Sequence, residues 1–469
     1  MTAIIRGLTH ADSGTGGGAA RTIFAPGDLP RAGFRLVLLA LFIVLVCCRM
    51  PDILLKQRLW AEEGLFYQNA WYMPPWQALW LEYGGYLNIV ANAAGVIARW
   101  AVPMRDAPLV ATGIGLAFQT LPAVLIVTSR ASWLQRPAAM MLAVIAVAAT
   151  PASEEVWLQT LHSQNHLALC AALILSFDDV PGPAVRWLRR VVLLLGPLTG
   201  MLAVLVLPLM LARAVMERRR ERWIQAGLLA VGAAIQIGLF YSPESGAALG
   251  RSSRVWPGIL VYAFFIRHVA VPVIGALTAR EIGDGLYTAF KAGVTPLWPV
   301  AIAAVAGSAV GVASLVRWRT GAPWLLAAGT LIAGASYAGA IGGGLMFLYP
   351  FAGERYSFVP EVLFVCTVIA IASGGRAGVR SGWLSWGAAL VAIWMTGVGL
   401  VDYMRPAPRY GTGPAWRDEV ARWEADPDYV IQLWPDGWWL QLTKDHSKPW
   451  LKVRPPELMI PVPHRDQLL

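Results

Sequence analysis

Phe34-Arg35-Leu36-Val37-Leu38-Leu39-Ala40-Leu41-Phe42-Ile43-Val44-Leu45-Val46-Cys47-Cys48 is an apolar run with a single charge, and Trp60-Ala61-Glu62-Glu63-Gly64 follows it closely. The first stretch reads as a membrane-spanning helix over 34–50. Some thirty residues precede it, no small-residue cleavage site follows, and more apolar runs come after, so a retained helix is expected rather than a signal peptide. The second stretch sets two carboxylates at the outer mouth of that helix, where they are costly unless solvated, paired or working.

The composition agrees. Of 469 residues, 57% are hydrophobic and only 14% charged, and the mean hydropathy is +0.54. These values exclude an ordinary soluble domain and point to one polytopic membrane body. The net charge of +10 does not indicate nucleic acid, because the arginines sit in short connections between apolar runs, which is an orientation signal. Cys47, Cys48, Cys170 and Cys366 fall inside apolar runs and read as packing residues. The Gly-, Ser- and Thr-rich residues 1–33 are expected to be a disordered cytoplasmic N-terminus.

Further runs occur at 107–128, 137–151, 165–177, 188–197, 200–214, 223–241, 295–316, 323–343, 356–373 and 383–401, with 188–197 and 200–214 forming a hairpin at Gly196-Pro197. With 34–50 this makes about eleven spans. Arg130 and Arg136, then Arg186, Arg189 and Arg190, then Arg213 to Arg222, then Arg317 and Arg319, and finally Arg376 and Arg380 all fall on one side. By the positive-inside rule that side is the cytoplasm. The parity requires that 84–101 not cross, and the region 65–101 reads as helices in the outer interface. The expected fold is an all-α polytopic membrane protein: a transmembrane domain 34–401, a first periplasmic loop 51–106 with interfacial helices, and a small periplasmic tail 402–469. The bacterial inner membrane is the expected location.

The same parity brings the remaining ionisable groups to the external face. Glu62 and Glu63 come first; a general base needs a raised pKa and reach to a hydroxyl, and a like-charged neighbour at a membrane edge raises a carboxyl. The ordinary alternative is a solvated loop start or helix cap. Glu154, Glu155, His162, Asn165 and His166 occupy a second external loop, as groups able to bind a sugar or pyrophosphate or to share a divalent cation. Their spacing matches no defined metal site. Arg355 breaks the charge rule by facing outward, and its fork suits a lipid phosphate; an ion pair with Glu354 or Glu361 is the plainer reading. The tail motif Leu433-Trp434-Pro435-Asp436-Gly437-Trp438-Trp439 offers faces for sugar stacking but reads more simply as a cap resting on the membrane. Nothing resembles a phosphate loop, a Ser-His-Asp arrangement or a nucleotide fingerprint.

Together these residues resemble the bacterial GT-C superfamily of integral-membrane glycosyltransferases. Trp60-Ala61-Glu62-Glu63-Gly64 resembles its Ala-Glu-Asp-Gly first external loop, with Glu63 where that version has Asp. Gly84-Gly85-Tyr86-Leu87 is similar to the start of the second interfacial helix, and Asn165-His166-Leu167-Ala168 to the Asn-x-x-Trp-x-Leu-Ala motif, without its Trp. Arg355-Tyr356 with Phe358-Val359-Pro360 resembles Arg-Tyr-x-x-x-Pro. The resemblance implies transfer of a sugar from a polyprenyl-phosphate donor to a glycan, lipid or protein acceptor at the periplasmic face. It implies Glu63, or Glu62, as base, with Glu62 turned to solvent or to Arg58 where Glu63 is the base, and Arg355 on the donor phosphate. Tyr356, Lys56 and Arg58 are secondary phosphate residues, and Glu154, Glu155 and His162 line the pocket. A transporter or flippase for a lipid-linked saccharide is the alternative from another class, and a polymerase or ligase would share the donor.

Overall fold

The computed structural model describes residues 30–242, 257–339, 344–374, 382–407, 411 and 413–444. The expected disordered N-terminus up to residue 29, Arg376 and Arg380, and the tail beyond 444 lie outside them.

Helices dominate. They are α1 (Ala32–Arg49), α2 (Glu63–Tyr72), α3 (Ile89–Ala101), α4 (Ala107–Thr128), α5 (Pro137–Ala148), α6 (Ser163–Ser176), α7 (Pro183–Thr199), α8 (Leu207–Glu217) and α9 (Arg220–Phe240). Then come α10 (Gly258–Ile274), α11 (Ala276–Lys291), α12 (Trp298–Val316), α13 (Ala322–Ala338), α14 (Glu354–Ser373), α15 (Gly382–Tyr403) and, in the tail, α16 (Trp416–Ala425). Short helices Pro51–Lys56 and Pro75–Leu79 lie between them, and two antiparallel hairpins are present: β1 (Glu82–Tyr83) with β2 (Tyr86–Leu87), and β3 (Ile431–Gln432) with β4 (Trp439–Leu440).

Local chemistry sets the boundaries. α1 stops at Met50 because Pro51 follows, and a proline ring disfavours helical backbone in the residue before it. α14 starts behind Gly353, whose φ of +61° suits glycine, and carries Glu354 in its first turn, where the helix dipole favours an anion. The hairpin expected at Gly196-Pro197 turns instead at Gly200: α7 runs on to Thr199, and its last turn accommodates Pro197.

Six helices among the described residues are long and apolar enough to cross a membrane: α1, α4 with the turn before it, α9, α12, α14 and α15. α14 is nearly all buried and packs on α13, α15, α5 and α6. By contrast α1, α12 and α15 turn Val37, Val305, Leu315, Trp383 and Val401 outward. Lipid tolerates such faces and supplies no hydrophobic drive between helices, so close packing and internal polar contacts hold a bundle together.

Those polar contacts fall into two sets. At the basic end, Ser129, Arg130 and Ser132 bond Asp178 and Asp179, Arg222 reaches the carbonyls of Ile174 and Phe177, and Ser373 bonds Trp133 O. At the opposite end, the mouth, Arg49 donates to Ala148 O and Thr150 O, Ala152 N to Asp402, and Tyr403 to Leu45 O.

Sequence reading passed over α10 and α11. α10 contains a π-helical turn, Phe265–Ala270, and its apolar pattern is interrupted by Arg267-His268. It bonds the residues before α12 through Tyr262 and Pro296 O (2.5 Å), the segment before α14 through Arg267, and Trp394 of α15 through Val273 O (2.8 Å).

Candidate functional site at the bundle mouth

The mouth is sunken because two helices are short. α5 has 12 residues and α6 has 14, so at 1.5 Å per residue each is only about 20 Å long. Their connecting loop, 149–162, therefore sits below the rim. Gln119, midway along α4, receives it: its amide donates to Val156 O (3.1 Å) and Gln159 O (2.9 Å) and accepts from Leu158 N (2.9 Å). Gly115 makes room, since a Cβ there would lie 2.6 Å from Gln159 O. The backbone is strained here. Gln57, Ala61, Ala152 and Leu158 take φ between 42° and 56°, a region non-glycine residues enter only when their surroundings force them.

The tail supplies part of that force. Ala61 N donates to Trp434 O (2.5 Å), Trp416 N donates to Gln57 O (3.3 Å), and Leu433 covers Gly64. Leu59, Tyr67 and Ala98 share one apolar cluster with Trp416, Trp423, Leu433 and Leu442. Trp434 is buried and so serves packing rather than sugar stacking. The tail is a buttress for the acidic loop.

Held this way, the two glutamates part. Glu63 begins α2 and points inward, where Oε1 accepts from Thr160 N (2.7 Å) and Thr160 Oγ1 (2.6 Å), and Oε2 from Trp60 N (2.9 Å). It ties the segment at Trp60 to the sunken loop at Thr160. Glu62 is half-buried, and among the described residues its carboxylate is bonded by its own backbone N–H and by no other residue. Burial raises its carboxyl above the usual range; Arg355 and the residue's own backbone N–H oppose the rise, and Glu155 and Glu63 add to it. Burial raises Glu63 too, against its three hydrogen bonds.

Arg355 is near enough to Glu62 for its charge to act on that carboxyl. Its guanidinium bonds Glu155, lies 5.0 Å from the Tyr356 ring centre, and is 35% exposed, so part of it faces the open mouth. Glu154 turns away from this site, to Arg49 (3.1 Å) with Arg405 at 4.0 Å. His162 bonds Glu155 O through Nδ1 (2.9 Å), and burial pushes its pKa down to about 4, so the ring is neutral at physiological pH. Tyr83 and Tyr86 complete the wall; burial raises both phenols, and Glu62 adds to the rise.

The residues read from sequence thus divide. Glu62, Glu155, His162, Arg355 and Tyr356 come together. Lys56 goes to the tail, bonding Gly411 O (2.9 Å), and Arg58 stacks between Trp60 and Trp434. Asn165 and His166 are buried below the mouth, with the His166 ring 4.9 Å from both Trp157 and Phe358. Among the described residues no group of three or more His, Cys, Asp or Glu side chains converges on one point.

Sequence reasoning missed Tyr83, Tyr86, Thr160 and Arg267. Arg267 is fully buried and donates to the carbonyls of Phe347 (3.3 Å), Tyr349 (2.5 Å), Pro350 (2.5 Å) and Ala352. It fixes the segment that delivers Arg355. An arginine inside an apolar run was the available signal. No family model, curated protein or solved structure matches the chain.

Proposed function

We propose that the protein is a glycosyltransferase of the bacterial inner membrane, related in architecture to the GT-C enzymes, with the mouth periplasmic and the basic end cytoplasmic. Eleven helices cross the bilayer in this reading, while α10 and α11 form a hairpin in its outer half. The N-terminus lies in the cytoplasm and the tail in the periplasm.

One observation carries the reading. In a mouth where Glu63, Glu154 and Glu155 all have partners, Glu62 is the carboxylate left open, near a half-open arginine. Glu62, rather than Glu63, takes the proton of the acceptor hydroxyl as its oxygen bonds the anomeric carbon. The bond from that carbon to the lipid phosphate breaks, and the configuration inverts. The leaving phosphate gains charge beside Arg355 and Tyr356, where a preorganised cation is most effective. Tyr86, half-buried in the wall, offers a hydrogen bond to the sugar.

The ionisable pair Arg267-His268 buried in an apolar helix favours a second reading, transport of a lipid-linked saccharide. The full chain in nanodiscs, given a polyprenyl-phosphate donor labelled in the sugar and a cell-envelope fraction as acceptor, separates the two. Label leaving the lipid for the acceptor is expected. Label that stays on the lipid, but crosses the bilayer of a reconstituted vesicle, would overturn the enzyme in favour of the transporter.

A further inference from the structure

Glu361 lies on α14 below the mouth. It is 2% exposed, and neither carboxyl oxygen has a hydrogen-bond partner. It borders a small cavity with room for about one water, shared with Ala149, Thr150, Pro272, Met395 and Thr396.

The cavity's polar groups have the wrong complement for an ionised acid. Thr150 donates its hydroxyl proton to Ala146 O (2.7 Å), and Thr396 donates to Ala392 O (2.8 Å). Both hydroxyls therefore present only lone pairs to the cavity, and a carboxylate also only accepts. Three acceptors share the space with no donor.

A metal ion does not fit either. A hard cation takes about six oxygen ligands, and the lining offers side-chain oxygens from three residues only. The charged groups that bear on Glu361 are Arg267 on α10, Asp402 on α15, Glu354 on its own helix and Glu154 on the sunken loop. Arg267 gives its donors to backbone carbonyls and makes no ion pair with Glu361. The three acids oppose a further negative charge.

We propose that Glu361 is a proton-binding site of the embedded bundle. It is a neutral carboxylic acid that donates to one water, and that water donates in turn to Thr150 and Thr396. Donors and acceptors then balance, and no net charge is buried. The site itself does not depend on the transfer reaction.

Infrared spectroscopy of the full chain in nanodiscs reads the proton directly. A carbonyl band of a protonated carboxylic acid is expected to persist at about pH 8, where a solvated glutamate is fully ionised. Glu361→Gln should remove that band, and exchange into D2O should shift it. Glu361→Asp keeps an acid and should move the band without removing it, which assigns the signal even where the Gln variant fails to fold. Thr396→Val removes one acceptor and should shift the band of a folded protein. Absence of the band from the unsubstituted protein at about pH 8, or a band unchanged in Glu361→Gln and Glu361→Asp, would show that Glu361 is ionised and overturn the proposal. A band unmoved in Thr396→Val would remove the water bridge.

Discussion

Asp179 at the basic end and Glu62 at the mouth are both carboxylates beside arginines, yet the protein treats them oppositely. Asp179 accepts from Arg189 twice (2.8 and 3.0 Å), from Arg130 N (2.8 Å) and from Ser129 Oγ (3.4 Å). Burial alone would raise its pKa, but the Arg189 hydrogen bonds and charge hold it below the usual range. Glu62 accepts no such bonds, and burial leaves its carboxyl raised. A buried charge with a full set of partners serves the structure. One that no other residue bonds destabilises the fold and is a candidate for chemistry.

The comparison breaks most visibly at Asp179. Asp179→Ala leaves the buried Arg189 without its anion, a change that costs about 3–5 kcal/mol, while transfer per folded molecule stays the same. Chemical unfolding in mixed micelles measures the first and the donor assay the second. A large loss of specific activity in a folded Asp179→Ala protein would erase the distinction between the two ends.

Arg355→Ala should do the reverse. Loss of a preorganised charge at a leaving group typically lowers the rate about 10²–10³-fold, with folding retained. Arg355→Lys keeps the charge without the fork and should fall between. Full transfer by Arg355→Ala would move phosphate holding to another residue.

His162 should give the smallest effect, confined to acid pH. Its folded pKa of about 4 lies below the ordinary 6.5, so the unfolded chain takes up the proton first. Stability is then complete above the ordinary value and falls as pH drops through the window between the two. His162→Gln should flatten that limb of the melting temperature against pH. An unchanged limb would assign the acid sensitivity elsewhere.

The sequence made the apolar helices and the gathering of acidic loop, Glu155 and Arg355 at one end legible, because apolar runs and arginine placement report on the membrane directly. Two things were not legible. α10 escaped because Arg267-His268 breaks its run, and the carbonyls that make Arg267 tolerable come from residues 347–352, far along the chain. The different surroundings of Glu62 and Glu63 were also hidden, because they depend on Thr160 and Trp434. Neither residue signals from sequence that it will fix the acidic loop. The likeness of Glu63 to an acidic motif speaks to residue type, whereas orientation depends on the backbone at Ala61 and on Trp434.

The most direct measurement is kcat/KM for sugar transfer across about pH 4 to 9, for the unsubstituted protein, Glu62→Gln and Glu63→Gln, each with a thermal melt. Glu62 must be ionised to act as base, so the rate should fall as pH drops through a pKa above the ordinary 4.5. Glu62→Gln should lose about 10²–10⁴ in rate and the acid limb with it. Its melt should not fall, because a raised carboxyl pKa contributes stability that is lost as pH rises through it, and Gln never ionises. Glu63→Gln turns an amide N–H toward Thr160 or Trp60, which should cost about 1–3 kcal/mol while the limb remains. A full rate and intact limb in Glu62→Gln, with both lost in a folded Glu63→Gln, would contradict the account.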